Sequence, residues 1–251
     1  MIKRDTLLKS LDALLEPARF KDYCPNGLQV EGRDEIRKIV SGVTASLALL
    51  QAAVDAGADA VLVHHGLFWR GQDGCVTGWM RQRLAVALAH NINVFAYHLP
   101  MDAHPELGNN AQLASQLDWL VTGHFGDQQL GFLGGPKLGS LPDVAALAQQ
   151  IESTLGRKVT LVRGHEGTVE RIAWCTGGAQ SYFEEAIAQG VQVFVTGEIS
   201  EPQAHYAREC GVSYIACGHH ASERFGAPAI GAYVSDTLGL VHEFIDIENP
   251  A

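Results

Sequence analysis

Four short stretches of this chain carry side chains able to hold a divalent cation: His64-His65, His98 with Asp102, His219 with Glu223, and Gly197-Glu198. Imidazole and carboxylate ligands together suit first-row ions such as zinc, iron, manganese or cobalt. The histidine pair closes Ala60-Val61-Leu62-Val63, four apolar residues that read as a short buried β-strand. Neighbouring side chains on a strand face opposite ways, so the two imidazoles converge only where the strand ends and the chain turns, which Gly66 allows. Taken alone, the pair reads as a surface histidine beside a core one, and a His-x-x-x-Asp/Glu motif as a helix-surface pair. Their shared context favours a metal site: three such signals each fall just after a strand-like run.

One ion takes about three or four protein ligands. The inventory here is larger: His64, His65, His98 and Asp102 from the first half, and His219 and Glu223 from the second, with Glu198 a further candidate. Two ions about 3.5–4 Å apart, bridged by a carboxylate and a water, would use it fully. Asp102 and Glu223 occupy matching places in the two halves and are the natural bridges. Pro100 opposes a helix continuous through His98, which puts Asp102 in the first helical turn beyond the strand. His219 and Glu223 can share one helical face.

The elements that must position these groups follow a β-α-β-α-β pattern, repeated. In the first half, Ile36 to Val43 predicts a strand. Thr44 or Ser46 can cap a helix through Leu47, Leu50 and Val54, and Gly57 stops it. The His-His strand follows, then a Gly- and Trp-rich loop (68–79), a helix from about Arg81 to His90, and a strand Val94–Tyr97. From Val169 onward the pattern returns. Ile39 lines up with Ile172, Gly57 with Gly190, Val61 with Phe194, and His64-His65 with Gly197-Glu198, at one constant offset. A second block, at a slightly shorter offset, matches His98-x-x-x-Asp102 to His219-x-x-x-Glu223, and the extra residues of the first half fall in the 68–79 loop. The fold expected is therefore α/β, with two internally repeated lobes spanning residues 1–127 and 128–251. The site should lie in the crevice between them, because open α/β sheets bind ligands at the carboxyl ends of their strands. The middle of the chain says less. Pro142 should open a helix closed by Gly156, and His124 and His165 read as exposed histidines in glycine-flanked turns.

Hydrophobic residues make up 47% of the 251 and charged residues 18%, the balance of an ordinary globular protein. A formal charge of -10 without a basic cluster disfavours broad binding to nucleic acid or anionic lipid. The five cysteines are odd in number and scattered, as in a cytoplasmic protein with reduced thiols. Residues 1–20 read as an amphipathic helix rather than a signal peptide, and no apolar run approaches a membrane span.

At Pro25-Asn26-Gly27-Leu28-Gln29-Val30, Gly57 to His65, Tyr97-His98-Leu99-Pro100-Met101-Asp102, Val195-Thr196-Gly197-Glu198 and Gly218-His219-His220-Ala221-Ser222-Glu223 the sequence resembles the NIF-three-like family. These are dinuclear metal-centre proteins, and the likeness is to the bacterial YbgI type described as GTP cyclohydrolase I type 2 homologues. The resemblance spans nearly the whole chain. It implies two intertwined α/β lobes, a toroidal homohexamer, and two divalent ions per chain held by His64, His65, Asp102, His219 and Glu223. His98 matches a position near the site, where proton transfer to or from an activated water is its best role. Two features depart from the family: Gly66 stands where many members have proline, and the large insert that longer members carry between the halves is missing. The function implied is metal-dependent hydrolysis of a purine nucleotide such as GTP, although no glycine-rich phosphate loop is visible. The alternative is a non-catalytic metal-binding ring that serves partner binding or metal handling. Acid should strip the metal as pH falls through about 6 to 5, since imidazoles bind it neutral.

Overall fold

The chain opens with β1 (Ile2–Lys3) and α1 (Arg4–Leu15), whose leucines at helical spacing, Leu7, Leu11 and Leu15, are buried as their pattern requires. This computed structural model describes residues 1–251. Next come β2 (Gly27–Val30), β3 (Glu35–Ile36), β4 (Lys38–Thr44), α2 (Leu47–Asp55), β5 (Ala60–His65), α3 (Gly78–Ala89), β6 (Asn93–Ala96) and α4 (Leu99–Ala103). They are followed by α5 (Asn109–Gln116), β7 (Trp119–Phe125), β8 (Gly131–Pro136), α6 (Val144–Leu155), β9 (Thr160–Val162), β10 (Ile172–Trp174), α7 (Phe183–Ala188) and β11 (Val193–Thr196). The chain ends with α8 (Glu201–Cys210), β12 (Ser213–Ala216), α9 (His219–Glu223), α10 (Gly226–Leu238) and β13 (Val241–Phe244).

Two units divide the chain: Met1–Gly108 with Arg224–Glu248, and Asn109–Glu223 with Asn249–Ala251. This differs from a single division at residue 127, for a reason visible in the strand pairing. β13 returns to the first sheet and lies parallel to β4, with Val241 opposite Lys38. β7 joins the second sheet by pairing antiparallel with β8. The two units are thus intertwined in chain order, the first being built from two separate segments.

The first unit holds a five-stranded sheet in the order β13-β4-β5-β6-β2. Strand alternation sends Val61 and Val63 into a core with Leu49, Leu50 and Ala53 of α2 and Leu84 and Ala87 of α3. Ala60 and Leu62 face the other way, into a core with Leu7 and Leu11 of α1 and Ile230 and Val234 of α10. Helices therefore cover both faces, which explains the continuous apolar run of β5. Ser46 caps α2, its Oγ accepting from Leu49 N at 3.1 Å.

The second unit holds a six-stranded sheet in the order β7-β8-β10-β11-β12-β9. Its three parallel strands repeat those of the first unit residue for residue. Ile39 pairs with Ala60 as Ile172 pairs with Val193, and Ala60 pairs with Asn93 as Val193 pairs with Ser213. The repeat reaches further than the sequence pattern did. Antiparallel β2 and β9 occupy matching edges, with Gly27 opposite Ala96 and Thr160 opposite Ala216. One register differs: Ala96 reaches His98 in two steps, whereas Ala216 takes three to His219. The added residue sits in the link Cys217-Gly218, where Gly218 has φ +102°, a value that suits glycine. α6 begins at Val144, capped by Asp143, whose carboxylate accepts from Ala146 N at 2.8 Å. His124 lies in strand β7 rather than in a turn, and it is exposed there.

Candidate metal centre

In the first unit, β5 runs through both histidines, and their rings lie 4.5 Å apart at an interplanar angle of 45°. His64 is fully buried, and its Nδ1 lies 3.3 Å from the Tyr97 carbonyl oxygen. A carbonyl only accepts, so Nδ1 carries a hydrogen and Nε2 is the ring nitrogen turned to the carboxylate, 3.6 Å from Asp102 Oδ1. His65 is half-buried, with Nδ1 at 3.1 Å from Thr44 Oγ1. Gly66 has no left-handed backbone. Its hydrogen makes room for the Gln29 amide, whose Oε1 accepts from Leu67 N at 2.7 Å.

His98 follows β6 with φ -94° and ψ -97°, a break that starts α4 and puts the buried Asp102 in its first turn. Pro100 at the second helical position has the effect its sequence position predicted. The His98 ring lies 4.9 Å from that of His64 and 5.8 Å from that of His65, and ring nitrogens of all three lie within 4.8 Å of one another. The His64 and His65 imidazoles and the buried Asp102 carboxylate, with the His98 ring beside them, suit a divalent cation, which also offsets the cost of burying the charge.

Asp22 was not legible in advance. Its Oδ1 accepts from His98 Nδ1 at 2.7 Å and from Tyr23 N at 2.6 Å. Its Oδ2 accepts from Leu99 N and from Asn26 Nδ2, each at 2.9 Å. Burial pushes this carboxyl up, but the hydrogen bond and charge of His98, then Asn26 and the Leu99 amide, outweigh it and hold it at about 2. Cys24 shares this corner, yet burial and the Asp22 charge push its thiol up to about 12. Without a bound cation it is therefore protonated at neutral pH. Trp69, from the loop that lengthens the first half, lies 5.1 Å from the His98 ring and 5.8 Å from that of His65.

In the second unit, α9 carries His219 and Glu223 on one face, with Nε2 to Oε2 at 3.2 Å. Glu223 is buried, and Gly177 permits this, since a Cβ there would overlap the Glu223 carboxylate. Glu198 takes a supporting place: its Oε1 lies 2.7 Å from His219 Nδ1, which directs Nε2 towards Glu223. Burial lowers the His219 pKa, but Glu223 and then Glu198, by hydrogen bond and charge, raise it to about 9. Every sequence-derived candidate is thus placed: His64, His65, His98 and Asp102 cluster in one unit, and His219, Glu223 and Glu198 in the other.

The description of the Duf34/NIF3 family (NGG1p interacting factor 3) matches residues 2–250. The chain belongs to this family. A Pseudomonas aeruginosa protein named GTP cyclohydrolase 1 type 2 homolog is 51% identical, over 100% of this chain and 99% of its own. Its namesake from Escherichia coli K12 is 48% identical over the full length of both. Among solved structures, one described as protein ybgI of unknown function superposes with a TM-score of 0.96 at 47% identity, covering both chains fully. The Duf34/NIF3 fold thus accounts for the two repeated α/β units, and no helix is long and apolar enough to cross a membrane.

Proposed function

We propose that this protein is a dinuclear divalent-metal-dependent hydrolase that acts on a purine nucleotide. The observation that carries the reading is the shared orientation of two imidazoles, the buried His64 and the half-buried His219. His64 Nδ1 faces a carbonyl and His219 Nδ1 faces a carboxylate, so each presents Nε2 as a ligand atom. On this reading His64, His65, Asp102, His219 and Glu223 would hold two ions, with Asp102 and Glu223 the residues that would serve both. A divalent pair supplies Lewis acidity and brings the pKa of a bound water towards neutrality. The protein's own contribution is to fix the ligands, bury the carboxylates and move protons at His98. The nucleotide assignment rests on the relatives named as GTP cyclohydrolase homologues. Water attack on the purine imidazole ring would release formate.

The assembly we propose is a homohexamer. Supporting it, edge strand β7 exposes Leu120 and Val121, apolar side chains that a second copy can cover. Metal-loaded protein incubated with a nucleotide panel, with formate and phosphate assayed beside a His64→Ala control, tests the hydrolase. Release from the wild type and none from the variant is expected. Full metal without release from any nucleotide would instead establish the non-catalytic ring.

A further inference from the structure

Asp22 and His98 are organised for more than turn formation. We infer that Asp22 is the positioning residue that makes His98 the general base of this site, with the imidazole hydrogen on Nδ1 and the lone pair on Nε2 beside His64 and His65. The inference rests on the hydrolase reading and adds a residue to it.

Both oxygens of Asp22 hold the turn, Oδ1 by accepting from Tyr23 N at 2.6 Å. Oδ2 serves the backbone, accepting from Leu99 N at the start of α4 and from the Asn26 amide, which in turn accepts from His98 N through its Oδ1 at 2.7 Å. A neutral acceptor would meet that need. Oδ1 additionally meets the His98 ring at 2.7 Å, while the Asp22 side chain is only 3% exposed. An ionised carboxylate has no hydrogen to give, so the ring must donate from Nδ1, and one tautomer is selected. The same device holds His219 through Glu198, at the position that the internal repeat matches to His98. Two unrelated carboxylates therefore meet the same nitrogen of matched histidines, which a chance turn contact would not produce.

The proton balance is direct. As water attacks the carbon of the purine imidazole ring, its O–H bond breaks and the proton passes to His98 Nε2, while the O–C bond forms and the C=N π pair moves onto the ring nitrogen. The imidazolium is then stabilised by the Asp22 charge. When the C–N bond of the substrate breaks, Nε2 returns the proton to the departing nitrogen.

The experiment combines nitrogen-15 NMR of the histidine rings, in apo and zinc-loaded protein, with formate release from a nucleotide panel. Wild-type His98 should be protonated at Nδ1 and bare at Nε2. Asp22→Asn, which matches the side chain in size but removes the carboxylate charge, should shift the ring population towards the Nε2–H tautomer. It should retain its metal and lose about 10²–10⁴-fold in formate release. A wild-type His98 protonated at Nε2, or an Asp22→Asn protein with unchanged tautomer or unchanged release, overturns the inference. The wild-type spectra decide the tautomer even if the variant does not fold. Metal-loaded wild type that turns over no nucleotide defeats the base role through the hydrolase reading. In that case the spectra still report separately whether Asp22 fixes the ring.

Discussion

Loading a cation onto His219 has to expel a proton, and the structure says at which pH. With Glu223 Oε2 at 3.2 Å from Nε2 and Glu198 Oε1 at 2.7 Å from Nδ1, the imidazole titrates near 9 rather than at the ordinary 6.5. At pH 7 it is about 99% protonated, so binding at this ligand releases about one proton per chain. Apparent affinity at that position should therefore rise about tenfold per pH unit up to about 9. Competition by protons thus begins well above the pH 6 that free histidine implies. The sign for the apoprotein is opposite. A raised pKa stabilises the metal-free fold fully below about 6.5, and that stability is lost as pH rises through about 9. Its ceiling is about 3 kcal/mol, and the true value is lower because the side chain is 28% exposed. Calorimetric titration with zinc in two buffers of different ionisation enthalpy counts the protons, and Glu198→Gln should reduce the count and flatten the affinity slope between pH 7 and 9. Zinc binding that releases no proton at pH 7.5 and keeps one affinity from pH 7 to 9 would refute the reasoning.

Other outcomes follow from the same geometry. Asp102→Ala and Glu223→Ala should each lower metal content at both positions, and His219→Ala mainly at one; undiminished metal by elemental analysis removes the bridging assignment. Gly177→Ala combines φ +71° with overlap of the Glu223 carboxylate, so it should lower stability by about 1–3 kcal/mol and reduce metal content, read by thermal melting and elemental analysis. Leu120→Asp on β7 should convert the assembly to smaller species in light scattering, and an unchanged mass would locate the contact elsewhere.

The parallel strands and the ligand positions were legible because strong local signals coincided with them. Ala60 to Val63 is apolar throughout because helices cover both faces of its sheet, and Ser46 and Gly57 mark the ends of α2. The strand β7 was missed since most of it faces outward: Leu120, Val121 and Thr122 are exposed, and no alternation betrays an edge strand of that kind. The unit boundaries were hidden for another reason. Nothing local in Val241–Phe244 says that it pairs with β4 rather than with its nearer neighbours in sequence.

Why the ligands could be read while Asp22 could not is a matter of what each position demands. A metal ligand must place a specific atom at the carboxyl end of a strand, so the internal repeat preserves both its type and its spacing: His98 with Asp102, His219 with Glu223. The acceptor behind an imidazole has only to reach Nδ1, and any carboxylate with an approach to the ring suffices. Asp22 arrives from 76 residues away in sequence, through a turn before β2, whereas Glu198 arrives from the end of β11, the place that His65 fills in the first unit. Duplication thus fixes the first requirement and leaves the second free. The two units orient matched histidines by carboxylates that no alignment of the halves would pair, and a hydrogen-bonded nitrogen, rather than a motif, is what identifies them.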